Sequence, residues 1–382
     1  MSIDRKEIEQ WLKERDVGKL QQLRRTADRV RRKHVGDEVH LRGLLEFSNH
    51  CKSLCAYCGI NRRNDTLKRY RMTKEEILES VAVADSLGYG TVVLQSGLDR
   101  NITKDSMAQT IKLIKERTSL AVTLSLGERS PRELASWRDN GADRYLLRFE
   151  TSDAELYKRI HPHVEEIFAD RFQLLEELKS LGYEVGSGVM VGIPGQTYKS
   201  LAKDISLFRE LDLDMIGVGP YIPHPLTSLG KQYKQNNELQ EQLGKEPTNL
   251  MDSTSGKFDL AEDQVPNTTE MTLKVLALTR ITCPDTNLPT TTALNVIDRA
   301  SGRSNGLLCG GNVIMPNVTP QKYRELYDIY PSKSLSTETI EETHEVVVNC
   351  IRSLGRKVGM GRGDSPNREK RSNKRKVKQV VP

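Results

Sequence analysis

After Gly36 the chain repeats one pattern: a short apolar run, a turn, then an amphipathic segment. The apolar runs fall at Val39–Phe47, Thr91–Leu94, Ala121–Leu124 and Arg144–Arg148, then at Glu184–Val191, Met215–Val218, Asn287–Thr292 and Asn312–Met315. Segments of helical period separate them, among them Thr73–Leu87, Lys104–Glu116, Phe168–Leu181 and Lys199–Leu211. Parallel strands need such crossovers, and strands covered on both faces read as short, nearly continuous apolar runs. Eight strands alternating with helices predict an α/β fold, a complete (βα)8 TIM barrel over residues 37–355. Ahead of it, Ile8, Leu12, Leu20, Leu23, Ala27 and Val30 recur at helical spacing and predict an N-terminal helical extension at 1–36.

Residues able to do chemistry fall just after each run, where the active face of such a barrel lies. The second run leads into Gln95-Ser96-Gly97, the third into Ser125-Leu126-Gly127-Glu128 and the fourth into Glu150-Thr151. The sixth ends in Pro220-Tyr221-Ile222-Pro223-His224 and the seventh in Thr290-Thr291-Thr292. After the first run come three of the six cysteines, Cys51, Cys55 and Cys58, spaced C-x3-C-x2-C. Three thiolates hold three corners of a cubane iron–sulfur cluster and leave one iron open. A structural zinc site needs a fourth Cys or His. His50 is adjacent to Cys51, and consecutive residues rarely converge on one tetrahedral ion. Three unligated thiols in a reducing environment are the remaining alternative.

Two segments break the repeat. Residues 228–268 form a polar insertion, expected to be disordered apart from one short helix around Glu238–Leu243. Residues 356–382 read as a basic disordered tail. Between residues 353 and 382 ten Lys and Arg face two acids, so the rest of the chain carries −2 of the net +6. The tail reads as a solvated extension or a dock for an acidic protein partner. Nucleic-acid contact is disfavoured because no aromatic residue interleaves its charges. No apolar run approaches the ~20 residues of a membrane span. The start of the chain lacks a signal peptide's apolar core, and a cytoplasmic location is expected.

The cysteine spacing, with Tyr57 before the third thiol, resembles the radical S-adenosylmethionine (SAM) superfamily. In such a site the open iron chelates the amine and carboxylate of SAM. The barrel mouth must then supply a cation for the carboxylate, acceptors for amine and ribose, and an apolar slot for adenine. Arg171 suits the carboxylate, as a bidentate partner, and Glu150 the ribose hydroxyls. Gln95 and Ser125 are polar groups at the same face, and Tyr221 and Ile222 could flank adenine. For Arg171 the plain alternative is a surface helix residue. For Glu150 it is a structural ion pair with Arg144 or Arg148.

Longer phrases narrow the resemblance. Cys51–Arg62, Tyr70-Arg71-Met72-Thr73, Val93–Gly97, Thr123–Glu128 and Gly141–Arg148 look like those of the FeFe-hydrogenase maturases of the HydE family. So do Met190–Thr197, Gly217–Pro225, Thr291–Leu294 and Asn312–Asn317. The resemblance spans about residues 20 to 360 apart from the insertion. It implies one 4Fe-4S cluster and SAM at the top of the barrel, cleaved to methionine and a 5′-deoxyadenosyl radical. That radical attacks the sulfur of a cysteine-bound iron carbonyl cyanide complex, in assembly of the di-iron part of the hydrogenase active site. Implied partners are a radical SAM tyrosine lyase, a scaffold GTPase and an electron donor. Carried over onto this chain, Cys51, Cys55 and Cys58 ligate the cluster, while Gln95, Ser125, Glu150 and Arg171 contact SAM. Arg148, Met190, Thr291, Thr292, Met315 and Tyr327 line the substrate cavity. The threonines could equally be strand filler, and the methionines core packing.

Three departures stand out. Leu98 occupies a position where the family often has an acid, leaving the SAM amine to backbone carbonyls or to Asp99. Phe149 replaces a usual His. No cysteine triad for an auxiliary cluster occurs near Ser334–Val347, and Cys350 stands alone, so a single cluster per chain is expected. Biotin synthase and methylornithine synthase share the superfamily but differ in these phrases. A radical SAM synthase acting on an organic substrate is the alternative enzyme. A nucleic-acid-binding protein with a metal-stabilised loop is the alternative outside enzymes, and the near-neutral body opposes it.

Overall fold

The computed structural model describes residues 3–164, 170–242, 263–331, 338–368 and 370. Two helices, α1 (Arg5–Lys13) and α2 (Val17–Val35), precede β1 (Glu38–Ser48). There follow α3 (Lys74–Ser86), β2 (Thr91–Ser96), α4 (Lys104–Arg117), β3 (Ala121–Ser125), α5 (Pro131–Asp139) and β4 (Arg144–Leu146). Next come α6 (Ala154–Ile160), α7 (Arg171–Ser180), β5 (Glu184–Val191), α8 (Tyr198–Glu210), β6 (Met215–Pro220) and α9 (Ser228–Gln242). The last elements are α10 (Thr269–Thr282), α11 (Thr292–Ile297), α12 (Gly302–Leu308), β7 (Val313–Ile314), α13 (Gln321–Arg324), α14 (Ile340–Ser353) and β8 (Lys357–Val358).

Local chemistry sets many of these boundaries. Thr73, Ser130 and Thr339 start α3, α5 and α14 through capping boxes with Glu76, Glu133 and Glu342. Most strand residues from β1 to β7 are buried on both faces, every one of the eight in β5 included. The strands run parallel in the order β6-β5-β4-β3-β2-β1-β7, with β8 added beside β1. The architecture is thus α/β with a parallel sheet. The N-terminal extension packs outside it, α1 against α8 and α2 against α10, burying Ile8, Leu12, Leu20, Leu23 and Ala27.

The expected seventh strand, Asn287–Thr292, is not a continuous strand. Its residues touch both neighbours through isolated parallel bridges, Met215 to Asn287, Val218 to Thr290 and Pro289 to Val313. Pro289 has no N–H to donate, and the Asn312 side chain takes over part of the ladder. It accepts from Leu288 N at 2.8 Å and donates to Asn287 Oδ1 at 2.8 Å. Thr291 has already become the N-cap of α11.

Two further expectations are corrected. In the insertion the helix runs over Ser228–Gln242, beginning ten residues before the expected Glu238. Val265 is buried and Gln264 accepts from Gly195 N, so 263–268 pack on the turn after β5. Residues 243–262 lie outside the described residues.

The tail does not leave the fold at 356. β8 pairs with Glu38 and Val39 of β1, and residues 359–368 form a strap across the N-terminal ends of the strands. Arg362 O accepts from Thr91 Oγ1 and Arg144 Nη2, and Gly363 O from Arg42 Nη2. Asp364 joins the buried Arg144–Glu184 ion pair, itself 2.7 Å long. Charges buried at that end require partners, and the strap provides them. Its fit is tight: a Cβ on Gly90 would lie 1.5 Å from Gly361 O. Residues 371–382 lie outside the described residues.

Candidate active site

The cysteine loop follows β1 and is fixed by polar side chains rather than by regular structure. The buried Asn49 donates to Lys68 O and Leu326 O, and its Oδ1 accepts from Tyr70 N. Arg69 gathers four carbonyls, those of Asn49, Ile60, Asn61 and Asn64. Behind Cys58, Gly59 N donates to Ile329 O, and the buried His224 pairs with Asp328 at 2.9 Å. A Cβ on Gly59 would meet Asp328 O at 2.1 Å and His224 Nε2 at 2.5 Å. The loop is therefore wedged between the segments that follow β6 and α13.

Cys51, Cys55 and Cys58 are free and partly buried, and all three line one cavity of about 290 Å³. Leu98 N approaches Cys51 Sγ at 3.4 Å. Burial, and then the neighbouring thiols, push Cys58 up to about 12 and Cys55 well above its ordinary value. Thiolates here require a nearby positive charge such as cluster iron. Among the described residues no three His, Cys, Asp or Glu side chains converge on a single ion. That disfavours zinc at His50, whereas a cubane takes each thiolate on a different iron. The donor set fits a 4Fe-4S cluster.

The same cavity collects most of the other expected residues. Gln95 and Ser125 are register partners at the ends of β2 and β3. Glu150 ends the β4 arm with φ 63°, a left-handed conformation that a non-glycine residue adopts at a cost. Arg148 Nη2 lies 3.1 Å from Glu150 Oε2, so the ion-pair alternative holds for Arg148. Arg144 is instead engaged at the strap. The Arg148–Glu150 pair lacks hydrogen-bond alignment: Glu150 Oε2 and Arg148 Nε are both buried without a hydrogen-bond partner in the described structure. Arg171, the first residue of α7, is no surface residue. It pairs with Glu128 at 2.7 Å, donates to Arg148 O at 2.6 Å and lies over the Tyr157 ring. Thr291, Thr292, Met315 and Tyr327 complete the wall.

Three expected residues lie elsewhere. Met190 and Tyr221 pack with Ala56, Leu156, Ile160, Ile193 and Leu229 beneath the cysteine loop, and the Tyr221 ring faces Tyr233 of α9. Neither they nor Ile222 line the cavity. The helix α9, absent from the sequence reading at this position, provides the apolar surface that draws Tyr221 away. Asp99 is also occupied, held by Arg71 at 2.6 and 2.8 Å and by Ser48 Oγ at 2.7 Å, while Leu98 takes the cavity wall. Phe149 is buried against Phe172 and Phe208.

Glu128, expected at this face without a role, lies on the wall, and so do Glu46 and Tyr330, which were not expected there. Glu46 interrupts an apolar run, a signal available in the sequence because a buried carboxylate needs a reason. It accepts from Asn317 Nδ2 at 3.0 Å. Tyr330 stands beside Thr292 and Tyr327 beside Gln95 on that wall. A second hollow of about 400 Å³ lies beyond the Arg171–Glu128 pair, lined by Tyr157, Lys158 and His161. There Tyr57 Oη meets His161 Nε2 at 2.9 Å.

Residues 45–208 match the Radical SAM superfamily. The chain is 43% identical over 355 residues to the [FeFe] hydrogenase maturase subunit HydE of Thermotoga maritima, covering 93% of this chain and 92% of that one. It is 26% identical to a 3-methylornithine synthase of Methanosarcina acetivorans, over 92% of this chain and 87% of the relative. Among solved structures, methylornithine synthase superposes with a TM-score of 0.73 at 22% identity, covering 94% of this chain and 95% of that one. HydG, a maturase of the [FeFe]-hydrogenase, superposes at 0.70 and 18% identity, covering 93% and 72%. Those two likenesses establish the fold. The long, well-covered identity to the Thermotoga protein goes further, and with the thiols at the cavity mouth it makes this chain a radical SAM enzyme, using a 4Fe-4S cluster and SAM, that belongs to the HydE family of [FeFe]-hydrogenase maturases.

Proposed function

We propose that the chain converts a cysteine-bound iron carbonyl cyanide complex, held inside the barrel, during assembly of the di-iron part of the hydrogenase active site. The observation that carries this reading is one continuous cavity. It runs from the three thiols to Arg148, Thr291, Thr292, Met315 and Tyr327. When bound, the cluster and SAM would supply 5′-deoxyadenosyl radical chemistry at the substrate's sulfur. Cys51, Cys55 and Cys58 hold the cluster. Arg171 offers its guanidinium to the methionyl carboxylate, Glu150 its carboxylate oxygen, ion-paired with Arg148 but free of hydrogen bonds, to ribose hydroxyls, and Gln95 and Ser125 their polar groups to the amine. Deeper in, Arg148 Nε and the threonine hydroxyls offer donors to an anionic ligand in a water-poor cavity.

Closure as a complete (βα)8 barrel is part of this reading, since a cavity with a wall missing could not keep a radical from solvent. The bridges at Asn287, Pro289 and Thr290 support it. In domain terms, helices at 1–36 brace the barrel, and its strap extends the barrel through 368. Among the described residues no helix is long and apolar enough to cross a membrane; the proposed place of work is the cytoplasm. There the radical SAM tyrosine lyase supplies substrate, the scaffold GTPase receives product, and a reductase-type donor supplies electrons.

The test is anaerobic reconstitution, then dithionite and SAM, scored for 5′-deoxyadenosine with and without the iron–cysteine carbonyl cyanide complex. Formation that the complex stimulates and Cys55→Ala abolishes is the expected result. Stimulation by an amino acid instead, with none by the complex, would move the assignment to the organic-substrate synthases.

A further inference from the structure

The turn after β4 holds a group that the chemistry above does not use. Ser152, two residues beyond the left-handed Glu150, donates its backbone N–H to Asp204 Oδ1 of α8 at 2.7 Å. Asp204 is wholly buried. Its Oδ2 and the Ser152 hydroxyl are both buried without a hydrogen-bond partner in the described structure. The hydroxyl lies close enough to favour the charged carboxylate, though out of hydrogen-bond alignment. The next residue, Asp153, caps α6 by accepting from Glu155 N and Leu156 N. That helix carries Tyr157, which stacks on His161 and lies under Arg171, and His161 in turn meets Tyr57 between two of the cluster cysteines. One side chain of α8 thus grips the chain where it leaves Glu150 and enters the helix beside the cysteine loop.

A buried carboxyl with an unsatisfied oxygen weakens a fold, and an apolar residue would fill this place without that cost. We infer that Asp204 is a positioning residue for Glu150. By accepting from Ser152 N it locks the 149–153 turn in the conformation that aims the Glu150 carboxylate into the cavity. On one side the bridge to β5, Glu150 N to Gly188 O and Met190 N to Glu150 O, fixes the left-handed residue, and Asp204 holds the chain that follows it. The inference rests on the proposed reading in which Glu150 receives the ribose hydroxyls of SAM.

The experiment measures SAM binding by equilibrium dialysis on reconstituted protein, alongside iron content and the electron paramagnetic resonance spectrum of the reduced, SAM-free cluster. Asp204→Ala is expected to raise Kd about tenfold, the size of one lost hydrogen bond, with iron and spectrum unchanged. Asp204→Asn keeps a carbonyl for Ser152 N and is expected to restore binding. Asp204→Ala combined with Glu150→Gln is expected to bind no more weakly than Glu150→Gln alone. Wild-type affinity in Asp204→Ala, or additive losses in the double variant, overturns the inference. If Asp204→Ala does not fold, Asp204→Val, apolar and without an acceptor, is judged by the same affinity criterion. Wild-type affinity in Glu150→Gln overturns the ribose reading itself, a separate failure.

Discussion

Arg171 and Glu128 form an ion pair 2.7 Å long at the cavity wall, with both side chains largely buried. The guanidinium proposed to take the methionyl carboxylate of SAM therefore already has an acidic partner, and in that reading the ligand joins a pair rather than meeting a lone cation. A buried guanidinium deprived of its carboxylate is left uncompensated, at a cost of roughly 3–5 kcal/mol. Glu128→Gln is thus expected to lower the melting temperature without ligand and to enlarge the increase that SAM produces. Arg171→Lys loses the fork geometry and is expected to weaken SAM binding about ten- to a hundredfold. Thermal melts with and without SAM, paired with equilibrium dialysis, measure both. An unchanged SAM response in Arg171→Lys would count against its role.

The wedge behind Cys58 makes a second prediction. His224 packs on Gly59 and pairs with Asp328. His224→Ala opens space beneath the loop, and Gly59→Ala forces a Cβ into Asp328 O. Both are expected to speed loss of iron to a chelator several-fold, Gly59→Ala the more. A chelation time course at 25 °C checks this, and wild-type rates in both variants would show that the wedge does not hold the loop.

Asp204 gives a pH dependence. Burial raises its carboxyl from 3.8 to about 7, against the lowering effect of Ser152. The unfolded chain ionises near 3.8, so between there and about 7 it releases the proton that the folded protein keeps. Stability falls as pH rises through that window and levels off above it. Asp204→Asn removes this dependence. From pH 6 to pH 8.5 its stability is expected to gain on the wild type by about 1 kcal/mol. Denaturant melts at the two pH values measure the difference, and parallel curves for both proteins would contradict it.

The strap predicts which part of the C-terminal segment the fold needs. Removing 356–382 strips Arg144 and Arg42 of the carbonyls at 362 and 363 and of Asp364. Several kcal/mol of stability should go with them. Removing only 371–382 leaves those contacts in place, and the melting temperature is expected to stay put.

A single cluster is expected to bring about four irons per reconstituted chain. Cys283→Ser, Cys309→Ser and Cys350→Ser should keep that iron, whereas Cys55→Ala should lose most of it. Iron analysis well above four per chain would reveal a second centre.

Much of the arrangement was legible in the sequence because it is written in local pattern. Burial on both faces makes strands apolar, crossovers impose helical period, and the spacing of three thiols within a turn of chain is itself ligand geometry. For the same reason the expected residues at strand ends, Gln95, Ser125 and Glu150, reach one cavity. Glu46 could have been added from the sequence, as a carboxylate inside an apolar run.

Other features depend on partners far away in the chain. Low-complexity composition marked 356–368 as disordered, yet those residues answer charges on Arg42, Arg144 and Glu184 that no local window connects to them. Tyr221 looked like a cavity residue until α9 offered its ring another surface. Arg171 gained Glu128 across 43 residues, Glu150 gained Arg148 beside it, and Ser152 gained Asp204 of α8. By itself the sequence determined most of the strands and helices before residue 220 and which residues stand at the ends of those strands, because periodicity and ligand spacing are properties of short stretches. Only the tertiary structure decided which of those residues face the cavity and which charges are already paired, because burial and ion pairing arise between segments that the sequence keeps apart.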